Sequence, residues 1–277
     1  QLHTEGDRDM QPNAVSFGAI INAYAHEQDP ASVEQAIQML QRMASLYQLG
    51  YESVRPNTFV YNSCMNAFAK IAGKPSTDII HEAADNSEDG HATPGSPVTA
   101  ESSSASSDDS NYAEKANDIL EWMEEQYFVQ NNNHVKPSVI SYSTVINAYA
   151  NSKCLVNAGP ASSVLFQRMV ENHVLSGDEE WRPNAIVVDA VLRAWLTTID
   201  AVKTEAEKGG LDDHQELFAE ASSQCRSMLT QTFMLYHHGE RRNKSAKMML
   251  DAALVLVTSI DDADGIAFVS KLQRSIA

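Results

Sequence analysis

The chain has 277 residues, 43% of them hydrophobic and 21% charged, the composition of a folded protein rather than of a fully disordered or fibrous one. Its 37 acidic residues against 20 basic ones leave a net charge of −17, which argues against binding nucleic acid mainly through a basic surface. Three cysteines without CxxC spacing exclude a disulfide framework, and the most apolar stretch, Met248 to Val257, is broken by Asp251 and falls short of the roughly 18 residues of a membrane span.

In chain order, residues 1–13 read as the tail of a preceding repeat ending on Pro12-Asn13, and the start at Gln1 without methionine reads as that of a fragment. Residues 14–57 form a first unit that opens with FGAIINAYA from Phe17. Residues 58–138 form a second, opening with YNSCMNAFA from Tyr61, and residues 139–184 a third, opening with YSTVINAYA from Tyr142. Residues 185–240 carry a divergent fourth copy, VDAVLRAWL from Val188. In each copy the large apolar residues fall at i, i+3, i+4 and i+7, the stripe of an amphipathic helix: Phe17, Ile20, Ile21 and Tyr24 in the first, Val188, Val191, Leu192 and Trp195 in the last. Before each stripe stands a proline with a small polar residue (Pro12-Asn13, Pro56-Asn57, Pro137-Ser138, Pro183-Asn184). Proline breaks the preceding helix, and Asn or Ser satisfies the free amides of the next one.

A second helical pattern follows each stripe, with a small residue, an apolar one four later and Met three after that. The sets are Ala36, Leu40, Met43; Ala116, Leu120, Met123; Ser162, Phe166, Met169; and Ala221, Cys225, Met228. The small residue lets two helices pack closely while the longer side chains fill the seam. Each unit is therefore a helical hairpin that cannot bury its own apolar face, and hairpins stacked in series make a solenoid. The equivalent aromatics are spaced by 44 and then 81 residues, and the excess in the second unit is an insert at about 72–111. Ser, Asp, Gly and Pro dominate it, and eight acids against one Lys between Lys74 and Asn111 mark it as disordered. A polar loop, Lys203 to His214, splits the fourth unit, and residues 241–277 read as a degenerate repeat or cap with helices at Ser245–Ile260 and Gly265–Ile276.

Pro-Asn, then Tyr or Phe, then [IV]-I-N-A-Y, and later A-x-x-x-L-x-x-M, together resemble the pentatricopeptide repeat from Pro12 to about Leu229. The departures are units longer than usual, Val188 where an aromatic is expected, and stretches from Met to Pro about twice the usual length (Met43 to Pro56, Met123 to Pro137, Met169 to Pro183). The resemblance implies an all-α, right-handed superhelical solenoid of helix-turn-helix repeats, related to tetratricopeptide folds. It implies a non-catalytic binder of single-stranded RNA, in a mitochondrion or plastid, serving RNA processing, stability or translation. Two residues of each repeat would read one base: Gly18 with Asn57, Asn62 with Ser138, and Ser143 with Asn184, while Asp189 lacks a clear partner. By the family's pairing rule Asn62 with Ser138 prefers cytosine and Ser143 with Asn184 adenine. Val15, Phe59, Ile140 and Ile186, three residues upstream of the readers, would sandwich the bases.

Taken locally, Asn57, Ser138 and Asn184 are helix caps and the charges of Arg55, Lys136 and Arg182 are solvated in loops. The alternative function is a protein-binding scaffold, using the same face or the acidic insert. No cofactor, metal, membrane association or enzymatic activity is expected. Gly73-Lys74 lacks the rest of a phosphate loop, the stretch Asp85, Ser87, Asp89, Gly90 has Ser96 where a calcium loop needs a carboxylate, and His237-His238 with Cys225 has no further ligand at usable spacing.

Overall fold

The computed structural model describes residues 12–27, 29–73, 109–152, 155–207, 214–235 and 244–276. Among these the fold is all-α, with ten helices and no strand. They are α1 (Ala14–Glu27), α2 (Pro30–Gln48), α3 (Thr58–Ile71), α4 (Asp109–Glu124), α5 (Val139–Asn151), α6 (Ala158–Ser176), α7 (Ala185–Glu207), α8 (His214–Leu235), α9 (Lys244–Ser259) and α10 (Ala263–Ile276). Two expectations are adjusted. Helix α4 already begins at Asp109, inside the stretch read as insert, whose residues 74–108 lie outside the described set. Helix α7 runs through Lys203 to Glu207, because Ala201 and Val202 still bury apolar surface beyond the stripe, so less of the fourth unit is loop than its polarity implied.

The packing follows chain order. The odd-numbered helices lie against one another in succession, α1 on α3, α3 on α5, α5 on α7 and α7 on α9. Each also packs on the even-numbered helix that follows it, and α2, α4 and α6 reach the next odd-numbered helix. The stripes supply these contacts: Tyr61, Cys64, Met65 and Phe68 are buried, as are Tyr142, Val145, Ile146 and Tyr149, and Val188, Val191, Leu192 and Trp195. Of the α1 stripe only Phe17 and Ile21 are buried; Ile20 is exposed and Tyr24 half-buried, since no described helix covers the far side of α1. The seam positions Ala36, Ala116, Ser162 and Ala221 are buried, and so are Met43, Met123, Met169 and Met228.

Burial also sets the chemistry of two thiols. Cys64 and Cys225 are free and buried, and desolvation pushes each pKa up to about 12. At pH 8 such a shift lowers the reactive thiolate population roughly a thousandfold relative to an unfolded chain. Alkylation followed by peptide mapping is therefore expected to modify Cys64 and Cys225 only after denaturant is added; rapid labelling of either in the native protein contradicts the packing.

The stretches between each seam methionine and the next proline are ordered turns with one shared design. Six residues before the proline stands a residue with left-handed backbone: Gly50 (φ 96°), Asn131 (φ 54°) and Gly177 (φ 67°). This conformation ends the helix, and Gly or Asn adopts it at little steric cost. A single 3-10 turn follows (Glu52–Val54, Asn133–Val135, Glu179–Trp181) and buries its last residue, Val54, Val135 or Trp181. Trp181 meets the rings of Tyr127, Phe128 and Tyr142 at centroid distances of 6.2, 5.6 and 5.8 Å. Tyr127 and Phe128 reach it from a short π-helical segment, Glu125–Val129, that extends α4. The turn of one unit is thereby fastened to the second helix of the unit before it.

Candidate nucleic-acid interface

The Pro-Asn and Pro-Ser pairs start α1, α3, α5 and α7, and their side chains close the free amides there. Asn13 Oδ1 accepts from the Ser16 amide at 3.0 Å, Asn57 Oδ1 from Val60 at 3.1 Å, and Asn184 Oδ1 from Ile186 and Val187 at 3.0 and 3.1 Å. Ser138 forms a capping box with Ser141. The local reading of these residues as caps therefore holds. It commits only the amide oxygen of each asparagine; among the described residues the Nδ2 groups of Asn57 and Asn184 have no hydrogen-bond partner and keep two donors each.

At the other reading positions the four units differ. Gly18 is buried, and a Cβ there would lie 2.8 Å from Phe59 Cε1, so the first unit presents the face of α1 covered by a phenyl ring. Asn62 is half-buried, and its Oδ1 accepts from Ser141 Oγ at 2.8 Å. That same hydroxyl oxygen accepts from the Ser138 amide at 3.0 Å, so one buried residue, Ser141, joins Asn62 and Ser138 across two successive first helices. Ser143 donates its hydroxyl to the Ile140 carbonyl at 3.1 Å, which leaves its oxygen as an acceptor. Asp189 is paired with Arg193 Nε at 3.1 Å, and Arg193 continues to Asn147 Oδ1 at 2.7 Å.

The residues expected to sandwich a ligand share one condition. Val15, Phe59, Ile140 and Ile186, each in the first turn of its helix, are 56–76% exposed, although the stripes of α3, α5 and α7 beside the last three are well buried. The helices that carry them, α1, α3, α5 and α7, are in successive contact, so the four make a row in sequence register on adjoining helices. Ser138, Ile140 and Asn184 also line one open groove of about 760 Å³ with Thr58, Lys136 and Arg182; Asn62 and Ser143 are not part of its wall.

The recurrent cations are not the solvated loop charges that the sequence suggested. Lys136 reaches Asp178 at 2.5 Å and Glu180 at 2.7 Å, both in the turn of the next unit. Burial works against the charge on Lys136, but hydrogen bonds and attraction from these two carboxylates prevail and raise its pKa. Asp178 is held below the usual carboxylate value by the hydrogen bond from Lys136 and by the Glu180 amide. Arg182 pairs with Glu179 at 3.0 Å, and Arg55 lies over the Tyr47 ring at 5.3 Å. Lys136 and Arg182 are thus engaged by carboxylates, whereas Arg55 has the ring contact and its buried Nε has no hydrogen-bond partner among the described residues.

Sequence reasoning missed Ser141, Val54, Val135 and Trp181. A large apolar residue stands two before each of three prolines, a signal visible once the turns are aligned on Pro56, Pro137 and Pro183. Among the described residues no group of three His, Cys, Asp or Glu side chains is placed to hold a metal ion, and no helix is long and apolar enough to cross a membrane. The calcium-loop candidate and His237-His238 lie outside the described residues. Comparison with protein families, with curated proteins and with solved structures finds no match.

Proposed function

We propose that the chain is a non-catalytic, single-stranded RNA-binding module of pentatricopeptide type, a right-handed solenoid of helical hairpins that serves organellar RNA processing, stability or translation. The observation that carries this reading is the row of exposed Val15, Phe59, Ile140 and Ile186 at one register on helices in successive contact. Unstacked bases have apolar faces that such side chains can cover and polar edges that small side chains can read. The linked Asn62 and Ser138, and Ser143 with Asn184, supply those polar groups.

Phosphates would find little help from Lys136 or Arg182, whose charges are already engaged by carboxylates. The partial positive charge of the helix starts remains. Affinity then depends on the sandwich more than on counterion release, and the expected salt dependence is shallow, a log–log slope smaller in magnitude than about 2.

Titrating a short single-stranded RNA with a cytosine-adenine core, at several salt concentrations, tests this. Single-strand-selective binding with a shallow slope is expected, and Phe59→Ala or Ile140→Ala should each cost about 1 to 3 kcal/mol, the scale of one stacked base, with helicity retained. Ser143→Asn should move the preference of its unit from adenine towards a pyrimidine. No binding at low salt rejects the proposal and leaves the row to a protein ligand; an unchanged preference after Ser143→Asn rejects one base per repeat.

A further inference from the structure

A second series of exposed apolar side chains recurs at a different register. Six residues past each seam methionine stand Leu49, Val129, Leu175 and Met234, all 72–86% exposed, and Phe128 and Val174 beside two of them are exposed as well. They sit at the C-terminal ends of α2, the extended α4, α6 and α8, and along the chain the first three are separated from the Phe59, Ile140 and Ile186 row by the 3-10 turns. A single exposed leucine is ordinary. Four large apolar residues left in water at one register are what marks an interaction surface.

The charge around this rim narrows what can cover it. The stretches from Met43 to Pro56, Met123 to Pro137 and Met169 to Pro183 hold seven carboxylates and three cations. Lys136 and Arg182 pair with Asp178, Glu180 and Glu179, and Glu124 pairs with Arg168, which leaves Glu52, Glu125 and Glu171 without a cation among the described residues. A phosphate backbone or an anionic bilayer would be repelled here, and so would a second copy of a chain that carries −17 and the same acidic rim.

We propose that the rim docks a basic, apolar-anchored peptide segment of a protein partner: Leu49, Val129 and Leu175 take its large apolar side chains, and Glu52, Glu125 and Glu171, which no cation of the described residues engages, pair with Lys and Arg between them. The inference stands whether or not the chain binds RNA.

The test titrates the full chain into a fluorescein-labelled peptide of five Leu-Lys-Lys repeats at 150 mM salt, beside Gly-Lys-Lys and Leu-Glu-Glu peptides of equal length. The first is expected to bind at least about tenfold tighter than either control. The combined variant Leu49→Ser, Val129→Ser, Leu175→Ser should lose that margin with helicity unchanged, and Ile140→Ala should keep it. Should the triple variant fail to fold, Glu52→Lys with Glu125→Lys, both exposed positions, reads the same surface and should weaken binding about tenfold. Equal affinity for the Gly-Lys-Lys peptide, or no change in a folded variant, overturns the proposal. Self-association or binding to phosphatidylserine vesicles that the triple variant abolishes overturns it as well, in favour of a second copy or a membrane surface.

Discussion

Trp181→Ala should lower the unfolding free energy by about 3 to 5 kcal/mol, the scale for deleting a large buried aromatic side chain. The residue is buried in a loop, and its indole meets three rings that belong to the extended α4 and to α5. Removing it leaves a cavity between the second and third units and frees the turn that Lys136 and Asp178 tie to its neighbour. In an array where each unit contacts mainly the next, loss of one junction also broadens the transition, because the two sides no longer unfold together. Urea denaturation followed by circular dichroism measures both effects. Trp122→Ala is the control: Trp122 stacks on Tyr61 at 4.7 Å but is exposed, so a loss of about 1 kcal/mol is expected. Equal effects from the two substitutions would show that Trp181 is not a junction.

Gly159→Ala should destabilise by about 3 kcal/mol, the upper end of the usual range for overpacking and opposite in sign to the gain of about 1 kcal/mol that helix propensity alone gives. A Cβ at Gly159 would stand 2.4 Å from Trp195 Cδ2 and 2.6 Å from Cε3. The indole has nowhere to move: it is fully buried, and its Nε1 donates to Ser163 Oγ at 2.8 Å. The backbone of α6 is pinned as well, since the Gly159 amide donates to Thr198 Oγ1 at 2.8 Å. Sterics therefore decide against propensity. Thermal unfolding of the variant checks this, and a raised melting temperature would mean that α6 and α7 can separate without cost.

Much of the helical architecture was legible because its signals are periodic and local. Tyr142, Val145, Ile146 and Tyr149 can be assigned to a buried face from spacing alone, and Ala36, Ala116, Ser162 and Ala221 mark close helix approach by their size. The turns were not, because Val54, Val135 and Trp181 are isolated apolar residues in polar surroundings and carry no period. Pairing between turns was hidden for another reason: Lys136 and Asp178 are 42 residues apart, and the same basic position is filled by Arg55 over a tyrosine in one unit and by Arg182 beside its own Glu179 in another. At the candidate interface the recurring positions could be found, but their hydrogen-bond states could not. Asn62, Ser143 and Asp189 occupy one register and are held respectively by a neighbouring helix, by their own backbone and by an arginine.

The asparagines that open α3 and α7 use one side-chain oxygen to begin a helix. Any change there must still supply an acceptor to waiting backbone amides, which leaves Ser, Thr and Asp as workable substitutes, with Gly tolerated for its backbone freedom alone, and penalises nearly everything else. The range of side chains open to these sites is thus narrowed by the scaffold itself, and substitution has its wider freedom five residues further on, at Asn62 and Asp189, where no backbone amide waits for an acceptor.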